Sequence, residues 1–360
     1  MRNQVLDVIK GISIIMIVNV HLVSGQFFVL GKTYHVIAFF LVSGIIKALD
    51  EKWKEKTFND IAVSRAKRLL YPYITLSVCY ILFRLALNLL RGGVLIDQVI
   101  INASINTLLF RGIGTLWFLP ILFFGEIFFY YQKKKGWSNG LSIVIGLISI
   151  FVAYLLDKYS ICGVSLYGDY SLYGILNIPI SVGLSSLIAS FFICLGYSLT
   201  KNYPTLLLSE KLVEKKSILL VIILCLISCL INVFFVPNYG GDLHKLNIGN
   251  PLSFLICSIA GLSMVLSVSL LIVKCSPLLT RFLSFLGVNS LIIMTTHSEY
   301  MINSVSYYAI TQLFDYCGIT LCSSIISLLS LITIIAIEII IIYIINHSVL
   351  RYIYTIPRFN

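Results

Sequence analysis

The chain has 360 residues, of which 59% are hydrophobic and 11% charged, with 26 Lys and Arg against 15 Asp and Glu. A soluble domain carries about 45–50% apolar and about 25% charged residues, so this composition excludes a water-soluble fold. The formal net charge of +11 does not point to nucleic acid, because the cations stand in short segments between apolar runs and not on one domain.

Those runs have the length, about 17–25 residues, that crosses a hydrocarbon core of about 30 Å as helix. The expected fold is therefore an all-α integral membrane protein of about ten transmembrane helices. They fall at roughly 12–30, 34–49, 70–90, 116–131, 141–156, 178–200, 217–236, 251–273, 282–299 and 318–346. They form a single transmembrane domain over 1–360, with no soluble domain. His21 interrupts the first apolar stretch and no small-residue cleavage site follows, so this helix is expected to be retained and not removed as a signal peptide.

With the N-terminus inside, the inner segments collect Arg2, Lys10, the cations from Lys47 to Arg68, Lys133 to Lys135, Lys201, Lys211, Lys215, Lys216, Lys274, Arg281, Arg351 and Arg358. The outer segments hold only Lys32, Arg91, Arg111, Lys158 and Lys245. This bias places both termini in the cytoplasm. The outer loops also carry Asp97, Asp157, Asp169, Asp242 and Asp315 among aromatic residues such as Tyr167, Tyr170, Tyr173 and Tyr239; they either meet a polar ligand or form ordinary interfacial belts. The nine cysteines form no CxxC pair and read as small hydrophobes. The five histidines are too scattered to suggest a metal site.

Titratable groups at membrane depth are costly and mark function by default. Here they are His21, Arg84, Glu126, His297 and Glu338. His21 follows the start of its predicted span by nine residues, about 14 Å and close to the midplane. Lys10 precedes it by eleven positions, which returns to nearly the same helix face about 16 Å nearer the cytoplasm. Asp7 is placed to pair with Lys10 three residues on. From spacing alone, His21 is either a proton-handling group or a hydrogen-bonded packing residue. Arg65 and Arg68 project together from a helix and offer two guanidinium forks to a phosphate, or serve only as topology determinants. His297 and Glu299 close the ninth span and either orient an acceptor or cap the interface. Glu126 needs a partner, for which Arg84 is the obvious choice.

Taken in order, Asp7-x-x-Lys10-Gly11 with His21, Phe39 to Gly44, Arg65-x-x-Arg68 with Leu69-Leu70-Tyr71-Pro72, and Leu116-Trp117-Phe118-Leu119-Pro120 resemble the acyltransferase-three family of bacterial polytopic membrane acyltransferases. His297 fits that family's late histidine-containing helix less specifically. Lys10 stands where the family usually has arginine, which keeps the charge and loses the bidentate fork. The resemblance implies O-acylation of a sugar or polysaccharide of the cell surface, such as capsule or lipopolysaccharide, or of a lipid-linked precursor. It implies acyl-CoA, most often acetyl-CoA, as the donor, reaching an enzyme of the inner membrane from the cytoplasm. It implies His21 as catalytic and Arg65 and Arg68 as donor-binding; by their own positions Asp7 is expected to join the catalytic set, Lys10 the donor-binding set, and Trp117, Glu126, His297 and Glu299 the acceptor side. Neutral imidazole would take the proton from the attacking hydroxyl. The competing reading is a transporter or flippase of lipid-linked glycans, which calls for charges spread along both halves of the chain.

Overall fold

A computed structural model describes residues 3–92, 94–163, 168–203, 215–319 and 322–356. Arg2, Tyr167, Lys211 and Arg358 lie outside the described residues, as do the side chains of Lys215 and Lys216. In chain order the helices are α1 (Gln4–Val20), α2 (Ile37–Leu49), α3 (Phe58–Leu90), α4 (Gln98–Leu108), α5 (Phe118–Lys134), α6 (Asn139–Lys158) and α7 (Leu172–Asn202). They continue as α8 (Lys215–Phe235), α9 (Pro251–Cys275), α10 (Pro277–Val288), α11 (Ser290–Thr296), α12 (Ile302–Tyr316), α13 (Ser323–Asn346) and α14 (Arg351–Tyr354). The described strands are one short antiparallel pair, β1 (Tyr239–Asp242) and β2 (Asn247–Gly249).

Among the described residues, seven helices are long and apolar enough to cross a membrane: Phe58–Leu90, Gly114–Lys134, Asn139–Lys158, Leu172–Asn202, Ile218–Asn238, Pro251–Cys275 and Ser323–Asn346. The α10–α11 pair, bent by 62°, makes an eighth if it is one span. Of the ten expected runs, the first two fall short of that measure. α1 has 17 residues and carries Asp7 and Lys10, and α2 has 13. The surface agrees with a bilayer as solvent. Leu82, Phe151, Leu226 and Leu230 are exposed, whereas Ser269 and Asn232 are fully buried. Ser269 donates to the Val265 carbonyl at 2.7 Å and the Asn232 nitrogen to that of Ser228 at 2.9 Å, so both find acceptors within their own helices.

The first helix begins and ends earlier than its hydropathy. Asn3 caps it by accepting from Val5 and Leu6, and Asp7 and Lys10 neutralise one another, so the polar first turns stay helical. It stops at Val20 because the buried Asn19 turns to the chain beyond. Its amide oxygen accepts from Phe27 and Phe28 at 2.9 and 3.0 Å, and its nitrogen donates to the Phe28 carbonyl at 2.9 Å. The apolar stretch 22–30 is thus a return loop, with Gly25 at φ 93°. His21 is the C-cap of α1 and not a mid-helix residue.

Contacts group the chain into two compact units. The first comprises Met1–Phe39, Tyr203–Pro237 and Leu255–Leu350. Here α1 runs against α10 at backbone distance. A Cβ on Gly11 would fall on the Leu283 carbonyl, and one on Gly287 on the Asp7 carbonyl. The second unit comprises Phe40–Asn202, Asn238–Phe254 and Arg351–Asn360. It repeats the device, with Gly44 against the Ile193 carbonyl and Gly196 against the Leu41 carbonyl. Small residues that let backbones touch are how helices associate where lipid removes the hydrophobic drive.

Since a backbone carbonyl cannot step aside, Gly11→Ala and Gly44→Ala are each expected to destabilise the protein by about 1–3 kcal/mol. Gly183→Ala, where an added Cβ meets nothing within 4 Å, serves as the control. Melting of the three variants in detergent checks this; equal melting temperatures would show that the close contacts carry no weight.

Candidate active site

In the first unit the end of α1 meets the end of α11. Each histidine places Nδ1 on the carbonyl one turn back: His21 on Ile17 at 2.8 Å and His297 on Ile293 at 2.7 Å. A carbonyl only accepts, so both rings are assigned the tautomer with the proton on Nδ1. The lone pair of each neutral ring then sits on Nε2. His297 Nε2 approaches His21 Nδ1 at 3.4 Å, with ring centroids 5.2 Å apart and planes tilted by 59°. His297 is fully buried, whereas His21 is exposed. The buried ring therefore backs the exposed one.

The backbone of His21 is held as well. After α11 the chain turns through Met301, at φ 65°, and the buried Asn303 donates to the His21 carbonyl at 3.0 Å. Asn303 lies 282 residues from His21, so no local spacing marks it. Thr296, next to His297, bonds to the fully buried Glu338 of α13 at 2.7 Å. Glu299 is half-buried in the turn after α11.

Asp7 is bonded to Lys10 at 2.7 Å, the expected i,i+3 pair. It does not join His21. Fourteen positions along α1 separate them by about 21 Å. The part that a carboxylate plays in many histidine sites falls here to the Ile17 carbonyl.

The second unit holds a cluster of its own around Glu126, and its composition corrects the sequence reading. Arg84 is not the partner of Glu126; it lies 3.5 Å from Asp97. Glu126 Oε1 accepts from Lys47 at 2.7 Å and from the Ser43 hydroxyl, and Arg65 Nε stands 3.2 Å from Oε2. Lys47 and Glu126 are both buried, so the charges are paired in low dielectric, where either one alone would be severely destabilising. Arg65 also donates to the Tyr130 hydroxyl at 2.9 Å, and its guanidinium lies 5.7 Å from the centre of that ring. One edge of Arg65 is therefore committed within the protein. Arg68, one turn on, is exposed. Lys47 reads in sequence as one more inner cation; Ser43 precedes it by four residues, and that i,i+4 spacing is the only local sign of the cluster.

Trp117 stacks on His244, with centroids 5.3 Å apart and planes within 3°. Near the end of α2, Glu51 takes Lys54 at 2.7 Å, Lys201 at 2.8 Å and the Tyr197 hydroxyl at 3.0 Å. The Lys201 and Lys54 hydrogen bonds hold its carboxyl down to about 2. No group of three or more His, Cys, Asp or Glu residues suited to a metal occurs among the described residues.

The first unit thus supplies an exposed imidazole with a defined tautomer, braced by a second imidazole; the second unit, by itself, carries two arginines one turn apart on α3. A family model described as an acyltransferase domain matches residues 3–347. No curated protein and no solved structure matches the chain. The match covers nearly the whole chain, including all four motif segments, and the chain accordingly belongs to the acyltransferase-three family of multi-pass membrane acyltransferases.

Proposed function

We propose that this chain moves an acyl group, acetyl in the first instance, from cytoplasmic acyl-CoA to a hydroxyl of a cell-surface glycan or its lipid-linked precursor. It works from the bacterial inner membrane with both termini in the cytoplasm, as the positive-inside bias supports. The observation that carries the reading is the His21 ring, exposed at the end of α1 with Nδ1 committed to the Ile17 carbonyl.

In the proposed reaction His21 Nε2 takes the proton of the acceptor hydroxyl as its oxygen attacks the thioester carbonyl carbon. A C–O bond forms, the C–S bond breaks, and the proton passes from the imidazolium to the departing thiolate. The products are an O-acyl ester and free CoA. Arg68 and the outer edge of Arg65 bind phosphates of the donor, and Lys10 contributes as a point charge. Trp117, stacked on His244, and Glu299 serve the acceptor. Glu126 has its oxygens turned to Lys47 and Arg65 and acts by holding Arg65, a different part from the acceptor contact expected of it.

Acceptor-stimulated thiol release from acetyl-CoA by the purified protein is expected to fall by about 10²–10⁴-fold in His21→Ala, the range for loss of a general base. A folded wild type that neither releases thiol nor binds CoA would overturn the proposal.

The two arginines are expected to part company. Arg68→Ala should raise KM for acetyl-CoA with little change in melting temperature. Arg65→Ala should raise KM and also lower the melting temperature, because Glu126 then loses one of its cations in a buried site. Identical behaviour of the two variants would show that Arg65 has no structural role.

A further inference from the structure

Glu338 is the one charged residue of α13, a helix of 24 residues apolar enough to cross a membrane, and it is fully buried. The transfer proposed above gives it no task. Neither α13 nor α11, to which it bonds, carries a lysine or an arginine. Glu338 Oε2 meets the Thr296 hydroxyl at 2.7 Å, and Oε1 is buried with no hydrogen-bond partner among the described residues. Ionised, the group would be a lone charge in low dielectric, a state that buried carboxyls ordinarily avoid by keeping a proton.

The hydrogens at Thr296 lead to the same state. Its hydroxyl stands 2.8 Å from the Ile292 carbonyl and 2.7 Å from Glu338 Oε2. A hydroxyl has one hydrogen, and a carbonyl only accepts. If that hydrogen goes to Ile292, the second contact requires a hydrogen from Glu338. If it goes to an ionised Glu338, two oxygens face each other at 2.8 Å with nothing between them, and Oε1 stays a buried, unpaired charge. We infer that Glu338 is a neutral carboxylic acid that donates to Thr296 and thereby holds His297 in place against His21. The inference concerns the imidazole pair of the proposed transferase and rests on that reading.

The contact has leverage because of where Thr296 stands. It ends α11, a helix of seven residues set off from α10 by a 62° bend, and it directly precedes His297. His297 takes its ring orientation from Ile293 of the same short helix and approaches His21 at 3.4 Å. Two turns of helix have little stability of their own. The bond from α13 therefore fixes where α11 ends, and with it the separation of the two rings. Glu338 is a positioning residue, acting through Thr296 and His297 and not on the reactants.

The test uses the full chain in lipid nanodiscs. In the infrared difference between wild type and Glu338→Gln at neutral pH, the band lost is expected to be the carbonyl stretch of a protonated acid. Glu338→Gln, whose amide still donates to Thr296, is expected to keep the wild-type kcat. Glu338→Leu and Thr296→Val are expected to lower kcat about 10- to 100-fold with KM for acetyl-CoA unmoved, the range for a small misplacement at a reacting centre. Thr296→Val keeps the shape and removes the hydroxyl, so it reads the contact even if Glu338→Leu does not fold. Loss of an ionised carboxylate band overturns the inference. So does a glutamine variant as impaired as the leucine one, since the charge would then be in use. Wild-type kcat in both Glu338→Leu and Thr296→Val also overturns it, since the contact would then be packing alone. A wild type inactive toward acetyl-CoA overturns the transferase reading, and the infrared band still decides the state of Glu338.

Discussion

The contact on which the first unit depends is the one between the backbones of α1 and α10. Gly11 and Gly287 each lie on a carbonyl of the other helix, which fixes both the separation and the register of the pair. Everything of chemical interest in the unit hangs from that line. At one end it leaves a pocket between Asp7, Arg281 and Ser284. At the other, the 62° bend that follows Val288 turns α11 so that His297 reaches His21. A side chain at either glycine would shift both ends together, because a helix pair moves as a rigid body and not residue by residue.

The second unit applies the same close approach at Gly44 and Gly196 to a different purpose. It brings α2 against α7 and leaves Ser43 and Lys47, one turn apart on α2, facing Glu126 of α5. A buried lysine and glutamate are a poor source of stability, since desolvation offsets much of their attraction. Their use is positional. Glu126 is shared between Lys47 and Arg65, and Arg65 is tied besides to Tyr130. The orientation of the arginine at the start of α3 is thereby determined by groups that cannot relax into solvent. The neighbouring Arg68 has no such tether, and the two arginines of one motif are physically unlike.

Local features of the site were legible in the sequence, and its tertiary partners were not. The i,i+3 pairing of Asp7 with Lys10 follows from helical geometry, and the apolar runs announce most of the long helices. Hydropathy nevertheless misplaced the first one. Leucine, valine and phenylalanine continue through 22–30, and a sliding average has no means of knowing that Asn19 spends its amide on Phe27 and Phe28. His21 was accordingly expected at mid-depth, whereas it stands at a helix end, where a side chain can be both held and exposed. Partners distant in sequence escaped for a plainer reason. Arg84 and Glu126 look complementary as charges, but pairing depends on which helix faces meet, and Asp97, thirteen residues from Arg84, is placed to meet it. Asn303 was missed because a lone amide has no spacing that distinguishes it from a packing residue, and Lys47 because a serine one turn before a lysine is too weak a sign to separate it from the other inner cations.

The identity of the group that orients His21 bears on how it would act as the proposed base. In many histidine sites a carboxylate accepts from Nδ1, and it both selects the tautomer and stabilises the imidazolium once the proton has been taken. In this chain Asp7 lies about 21 Å away along α1 and Glu338 is engaged with Thr296. The acceptor is instead the neutral Ile17 carbonyl, which selects the tautomer equally well and adds no counter-charge. In the proposed transfer the leaving group is a thiolate, and the proton taken from the attacking hydroxyl is required again one bond-breaking later. In the proposed reaction the ring, oriented by the Ile17 carbonyl, passes one proton from the oxygen that arrives to the sulfur that departs.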